Sequence, residues 1–312
     1  MKKLLMILYI MFSLPVQAQE LNVIVSSESD GQTTNARIFG KYMARHISTE
    51  AVAIIRVVPG AAGVNSTNYL YNIAAKDGNT IGTMLKNIPI VGAIGGPNIQ
   101  YDARKFFWIG SVADGRKDAV VLVSNKTYDG NELIVGADNV VSADPINFIK
   151  SYSGLNIKRV SGYPNNNTVR LAYERREIDA FVSNLQGIKI NNKEWIKTEL
   201  FLVQMGNGTF RHPELPNTPT VTELIKDEEG KRLVAVFETQ FALLRPFVAP
   251  PGIPESKKKV LLRAFDLATK DPEYIREAQR ISLDIDPIYH VESQQIVEST
   301  YSIQRELLDK LR

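Results

Sequence analysis

Short apolar runs rich in β-branched residues alternate along the chain with stretches in which apolar residues recur every three or four positions. The first run, residues 22–26 (NVIVS), is typical of a buried parallel strand. Residues 35–47 then place Phe39, Met43 and Ile47 on one face, as in a helix that covers a sheet. The opening of the chain therefore predicts a strand followed by a covering helix.

The same alternation continues in two units. In the first unit it predicts strands at 51–58 and 80–84, with a helix through residues 69–74 between them. In the second unit it predicts helices at 145–152 and 167–176 and strands at 119–124, 133–137, 157–161, 178–182 and 200–204. This order predicts two doubly wound α/β domains. Ligands of such sheets bind beyond the carboxyl ends of the strands, so we expect a ligand cleft between the domains.

The N-terminus has the pattern of a secretory signal peptide. Two lysines are followed by an apolar stretch over residues 4–14 and by the small-x-small site Val16-Gln17-Ala18. The apolar stretch is too short to span a bilayer, although a retained N-terminal anchor stays open as an alternative. We expect cleavage after residue 18, export to the periplasm, and no membrane insertion of the mature chain.

Beyond the signal peptide we assign three segments. Residues 19–123 form the first part of domain 1, residues 124–240 form domain 2, and residues 241–312 return to domain 1 and add C-terminal helices. The chain has 312 residues and no cysteine, which excludes disulfides, a thiolate nucleophile and a lipid-modified cysteine. A chain of this length can bury a large core without covalent crosslinks.

Composition and motifs narrow the class of function. The formal net charge is +3, and two of the basic residues belong to the signal peptide, so the chain lacks the clustered charge that nucleic acids require. No Gly-x-Ser-x-Gly, His-Glu-x-x-His or P-loop motif occurs, and the three histidines lie in unrelated contexts. We therefore expect neither an enzyme, a metal site nor a cofactor, although a triad assembled in space stays open.

Polar residues that follow the predicted strands are the candidates for ligand binding. Their hydroxyls, amides and backbone N–H groups would bind ligand oxygens, and a lysine would pair with a carboxylate; helix capping and ordinary turns are the alternatives. Two such residues, Asn184 and Gln186, follow a predicted strand of the second domain. The full set of candidates is Ser26, Ser27, Ser29, Gly31, Thr33, Thr34, Gly60, Ala61, Met84, Lys86, Asn87, Asp138, Asn139, Ser142, Tyr163, Asn165 and Asn184.

Several short motifs occur along the chain in the order that they have in a known protein family. They include residues 58–63 (VPGAAG), 76–82 (KDGNTIG), 108–111 (WIGS) and 245–252 (RPFVAPPG). With these motifs the chain resembles the substrate-binding receptors of the tripartite tricarboxylate transporter family, also called the Bug family. The resemblance implies a type II periplasmic-binding-protein fold that captures a carboxylate with loop N–H groups and hydroxyls. It also implies delivery of the ligand to membrane permease subunits.

Two loops depart from the pattern of that family. Residues 29–33 keep one glycine, and Thr33 stands where the family has an aspartate; residues 138–142 replace a glycine-rich loop. Asp30 and Asp138 would repel an anion that they faced. A small carboxylate remains the favoured ligand, with an uncharged solute left open. A receptor for a signalling partner and an extracytoplasmic enzyme on the same fold are the alternative functions.

Overall fold

Two separate sheets organise the chain. The computed structural model describes residues 19–28, 31–137, 145–164, 166–206, 208–281 and 283–310. The predicted signal peptide, residues 1–18, lies outside the described residues. The strands are β1 (Glu20–Val25), β2 (Val52–Val57), β3 (Thr80–Thr83), β4 (Phe107–Ser111), β5 (Val120–Ser124), β6 (Leu133–Gly136), β7 (Ile157–Val160), β8 (Ala180–Asn184), β9 (Leu200–Met205), β10 (Pro246–Ala249) and β11 (Ile288–Tyr289).

Helices cover the faces of both sheets. Their order between strands follows the predicted alternation, which is confirmed for both units. The helices are α1 (Gly31–Ile47), α2 (Val64–Asn72), α3 (Ile88–Ile94), α4 (Pro145–Tyr152), α5 (Asn166–Glu174), α6 (Leu185–Asn191), α7 (Trp195–Thr198), α8 (Val221–Leu224), α9 (Glu228–Glu238), α10 (Glu255–Thr269), α11 (Pro272–Arg280), α12 (His290–Tyr301) and α13 (Arg305–Asp309).

The six-stranded sheet, in the order β11-β4-β10-β3-β1-β2, forms the centre of the first domain, and the five-stranded sheet, β7-β6-β8-β5-β9, that of the second. In the first sheet β1 pairs in parallel with β2 and β3, whereas β10 is antiparallel to β3 and β4. In the second sheet β6 is parallel to β7 and β8, whereas β5 is antiparallel to β8 and β9. Both sheets are thus mixed, with a parallel part and an antiparallel part.

The apolar face of α1 shows how the sequence pattern becomes a core. Phe39 and Met43 are fully buried, as their spacing predicts. The ring of Phe39 lies 5.0 Å from that of Phe247 in β10 and 5.2 Å from that of Phe265 in α10. Tilted and edge-on aromatic contacts of this kind add to the stability gained from apolar burial. The helix is therefore fixed against the sheet and against a helix from the C-terminal part of the chain.

Two chain segments, residues 112–119 and 241–245, cross between the domains side by side. Val112 N–H donates to the carbonyl of Arg245 at 3.1 Å, and Gly115 N–H donates to the carbonyl of Ala242 at 3.2 Å. The predicted division between residues 123 and 124 falls inside β5, which pairs in the second sheet. The first crossing therefore ends before Val120, because the apolar run at 120–124 is buried in the second domain.

The C-terminal helix α13 makes a further contact between the domains. Leu308 belongs to the buried cluster that covers one face of the second sheet. The Lys310 ammonium beyond the helix pairs with Glu229 of α9. Residues that follow the return to the first domain thus also pack against the second.

Candidate functional site

A cleft of about 640 Å³ lies between the two domains. This volume is in the range typical of small-molecule sites. The first domain contributes the start of α1, the residues after β3 and those after α11, and the second contributes β8, α5 and α6. The second crossing contributes Leu244 and Arg245. Polar groups from both domains and from a crossing therefore face one shared space.

The start of α1 forms one wall of the cleft. Gln32 Nε2 donates to Thr83 Oγ1 at 3.0 Å and also to the carbonyl of Met84, which ties the helix to the end of β3. Thr33 is buried, and its hydroxyl donates to the carbonyl of Ser27 at 2.7 Å. Thr34 lines the cleft. These bonds secure the first turn, so α1 begins at Gly31 and not at residue 35 as predicted.

Lys86 lies where the first domain meets the crossings. Its ammonium is 4.3 Å from the centre of the Phe241 ring, and its side chain lines the cleft. Burial lowers the pKa of Lys86 to about 8, although the Asp118 carboxylate acts in the opposite direction. A cation–π contact and a nearby carboxylate thus retain a cation that burial disfavours.

Asp118 in the first crossing is held by three donors, two of which lie at the start of α6. Its carboxylate accepts the backbone N–H groups of Ala119 at 2.8 Å and Gln186 at 3.1 Å, together with the Asn184 amide at 3.1 Å. Burial raises the pKa of Asp118, while these hydrogen bonds and the charge of Lys86 counteract the increase. The carboxylate thereby satisfies backbone N–H groups of the first crossing and of the first turn of α6.

Arg245 and Gln186 form a polar pair in the cleft wall. Arg245 Nη2 donates to Gln186 Oε1 at 2.5 Å, and the Arg245 backbone N–H donates to Ser111 Oγ at 3.1 Å. Arg245 Nη1 and Gln186 Nε2 are both buried, and neither has an acceptor in the part of the chain that the structure describes. Burial lowers the pKa of Arg245, whereas Tyr274 and nearby aspartates raise it. A guanidinium remains charged in proteins even when it is buried.

Arg245 is not among the predicted ligand-binding residues and is part only of the motif at 245–252. The signal that identifies it is a cation directly before a buried strand, at the point where the chain changes domain. Arg170 of α5 also lines the cleft; from the sequence we expect it to be solvated or paired with an acidic neighbour, and its Nη1 donates to Glu174 at 2.6 Å.

The structure brings some of the predicted ligand-binding residues together and not others. Thr34, Lys86 and Asn184 line the cleft, as does Gln186. Other candidates are not part of this lining. They include the buried Met84 and Thr33, the exposed Gly60 and Ala61, and the partly buried Ser26, Ser27, Asn87 and Tyr163. Gly31, Thr33 and Thr34 lie in α1. Ser29, Asp138, Asn139, Ser142 and Asn165 lie outside the described residues. The whole set stays a prediction.

The turn at residues 59–63 carries unusual backbone angles. Ala61 and Ala62 adopt φ of 48° and 46°, next to Gly60 at 110°. Left-handed backbone in residues with a Cβ is energetically unfavourable, and such strain is concentrated at functional sites. Asn65 Nδ2 donates to the carbonyl of Pro59 at 3.1 Å and so helps to hold the turn.

The two mixed sheets, the two crossings and the cleft between them define a two-domain solute-binding fold. No family model matches the chain, and a search of curated proteins finds no match. Among the described residues no helix is long and apolar enough to cross a membrane.

Solved structures of periplasmic solute-binding proteins share this architecture. MatC from Rhodopseudomonas palustris, solved with bound malate, is 17% identical over 95% of this chain and 100% of that chain, with a TM-score of 0.66. The periplasmic binding protein BugD is 16% identical over 94% of this chain and 97% of that chain, with a TM-score of 0.66. A TctC solute-binding protein from Polaromonas is 12% identical over 93% of this chain and 98% of that chain, with a TM-score of 0.63. The likeness shows the type II periplasmic-binding-protein fold.

Proposed function

We propose that this chain is a periplasmic solute-binding receptor of the tripartite tricarboxylate transporter type. The observation that carries the proposal is the charge of the cleft between the domains. Lys86, Arg170 and Arg245 contribute to its described lining, which contains no aspartate or glutamate. A cleft with cationic groups and amide donors suits an anion, and a small carboxylate is the ligand we propose.

The binding mechanism that we propose is hinge closure. Both domains contribute polar groups to the cleft, so a ligand that contacts both stabilises the closed arrangement over the open one. The crossings at 112–119 and 241–245 are the segments that would absorb the change in backbone angles. MatC, which has the same fold, was solved with bound malate, and this supports a small dicarboxylate as the ligand that we propose.

We further propose that the protein binds its ligand without converting it and delivers it to membrane permease subunits. The predicted signal peptide at residues 1–18 would direct the chain to the periplasm. Delivery requires release of the ligand unchanged, which suits a site built from amide and guanidinium donors. Incubation with succinate followed by NMR should show only succinate; a new product would favour the enzyme alternative.

Titration calorimetry with the chain from Gln19 onward tests the function. The carboxylates would be malate, succinate, adipate and citrate, and succinamide would serve as an uncharged control of the same shape as succinate. We expect at least one carboxylate to bind and succinamide to be silent. At a hundred times its Kd a ligand adds about 2.7 kcal/mol of stability, so thermal unfolding gives an independent readout. Binding of succinamide without any carboxylate would contradict the proposal.

A further inference from the structure

The side chains of Arg245 and Gln186 form a hydrogen-bonded pair in the cleft wall, and two donors of this pair have no acceptor among the described residues. Arg245 Nη2 donates to the side-chain oxygen of Gln186, Oε1, at 2.5 Å. The other terminal nitrogen, Nη1, and the Gln186 amide Nε2 are buried without acceptors among the described residues. Gln186 is only 5% exposed, yet both side chains line the cleft. Buried donors without acceptors destabilise the ligand-free protein.

Arg245 also has no direct ion pair among the described residues. Within the described parts of the chain no carboxylate lies within ion-pair distance of its guanidinium, whereas Arg170 in the same cleft pairs with Glu174 at 2.6 Å. Burying a cation is unfavourable unless a counter-charge and hydrogen bonds compensate for the lost hydration. A ligand that supplies an anionic acceptor at this point removes both costs at once.

We propose that Arg245 and Gln186 together form the carboxylate anchor of the cleft, the pair of side chains that binds one carboxylate group of the ligand. This inference rests on the proposed function and deepens it. A planar guanidinium matches the two oxygens of a carboxylate, and the Gln186 amide adds a neutral donor beside it. The anchor requires a ligand with at least one ionised carboxylate and rejects the corresponding amide.

The anchor joins the hinge to the second domain. Arg245 belongs to the second crossing, where its backbone N–H donates to Ser111 Oγ at the end of β4 and its carbonyl accepts the N–H of Val112 in the first crossing. Gln186 lies in the first turn of α6, and its backbone N–H is held by Asp118. The Arg245–Gln186 hydrogen bond already links the crossing to α6, and a carboxylate bound to both side chains would strengthen that link. Binding of the charged group is thereby coupled to the relative position of the domains.

The test compares Arg245→Gln, Arg245→Lys and Gln186→Leu with the parent chain by calorimetry. The probe is whichever of malate, succinate and adipate the parent binds most tightly. We expect Arg245→Gln to raise Kd by about 10- to 100-fold, as loss of a charged hydrogen bond does. Arg245→Lys should recover only part of the loss, because an ammonium lacks the planar fork. Gln186→Leu should raise Kd by about 3- to 10-fold.

Thermal unfolding separates an anchor from a merely structural role. Because the guanidinium of Arg245 has no direct ion pair and an orphan buried donor, Arg245→Gln should keep or raise the Tm without ligand and reduce the shift that the probe produces. Arg104→Gln is the matched control, since Arg104 is an exposed arginine paired with Asp102, and it should bind the probe as the parent does. If Arg245→Gln fails to fold, a parent-like Kd of Arg245→Lys would overturn the anchor.

The outcomes also separate this inference from the proposed function. A parent chain that binds no carboxylate overturns the function. A parent that binds its probe, together with an Arg245→Gln variant of unchanged Kd, overturns the anchor alone and leaves the receptor function standing. A raised Kd in the Arg245 variants with an unchanged Kd in Arg104→Gln supports the anchor.

Discussion

A Cβ atom added at Gly115 would lie 2.1 Å from the carbonyl oxygen of Phe241, because the two chain crossings run in close contact. The carbonyl oxygen of Phe241 belongs to the backbone and cannot rotate away from the added carbon. The two segments that join the domains are therefore packed to the limit that glycine permits. This contact makes the hinge unusually sensitive to a single methyl group.

Gly115→Ala should lower the free energy of unfolding by about 1 to 3 kcal/mol, the usual effect of overpacking. Urea denaturation of the two proteins measures the difference. Gly40→Ala is the matched control. Gly40 lies inside α1, and a Cβ there would meet the Cβ of Ala53 in β2 at an ordinary contact distance of 3.4 Å. The control should change stability by no more than about 1 kcal/mol, in the stabilising direction. Equal effects of both variants would contradict the tight crossing.

Lys86 should make stability depend on pH in the alkaline range. Its pKa is about 8 in the folded protein and 10.5 in the unfolded chain, so the unfolded state holds more protons between these values. The contribution of Lys86 to stability therefore rises as pH increases from about 8 to 10. Relative to Lys86→Met, the parent should gain about 1 to 2 kcal/mol over this window, less than the full shift because the side chain is partly exposed.

Urea denaturation of the parent and Lys86→Met at pH 7, 8.5 and 10 provides the measurement. Taking the difference cancels the other lysines and tyrosines that titrate in the same range. The difference still contains the interaction between Lys86 and Asp118, because only the parent has a lysine at this position. A difference that stays constant from pH 7 to 10 would show that Lys86 is not titrating in this window.

Asp271 should stabilise the junction of α1 and α11 at neutral pH. Burial alone would raise its pKa, but hydrogen bonds from Arg45, His46 and the Glu273 backbone lower it to about 2. The folded value is thus below the usual 3.8, so the stabilisation is present above about pH 4 and is lost as pH falls towards 2. Asp271→Asn should cost about 2 kcal/mol at pH 7.

Chemical denaturation of the parent and Asp271→Asn at pH 7, 4 and 2.5 checks this effect, and the two curves should converge at the acid end. Glu273→Gln is the control. Glu273 also pairs with Arg45, at 2.6 Å, but its side chain is 55% exposed. An exposed pair contributes at most about 1 kcal/mol. If both variants lost the same free energy of unfolding, the stabilisation would not come from Asp271 in particular.

Closure of the cleft should be visible with spin labels, because the chain has no cysteine of its own. Labels would be placed at Arg37→Cys in α1 and Lys193→Cys after α6, two exposed positions on opposite domains whose helices contribute to the cleft. Saturation with the carboxylate that binds most tightly should shorten the distance between them. A control pair within the second domain, Lys158→Cys with Lys193→Cys, should keep its distance. An unchanged distance in the first pair under saturating ligand would contradict hinge closure.

Sequence patterns predicted the parts of the structure that depend on neighbouring residues. The burial of Phe39 and Met43 follows from helical spacing, and the strands at 120–124 and 157–160 follow from short apolar runs. The start of α1 was predicted four residues late. Its first turn depends on bonds from Gln32 to Thr83 and Met84, which are about fifty residues away in the chain.

The sequence by itself determined the two-unit α/β alternation, the amphipathic helix faces and the resemblance to a receptor family, because these depend on local periodicity and short motifs. The tertiary structure decided which polar residues share the cleft. Arg245 and Gln186 are separated by 59 positions, and no local pattern shows that one donates to the other. Hydrogen bonds and charge balance depend on distances in space. The partner of an arginine that precedes a strand is therefore decided only when the two crossings bring it against α6.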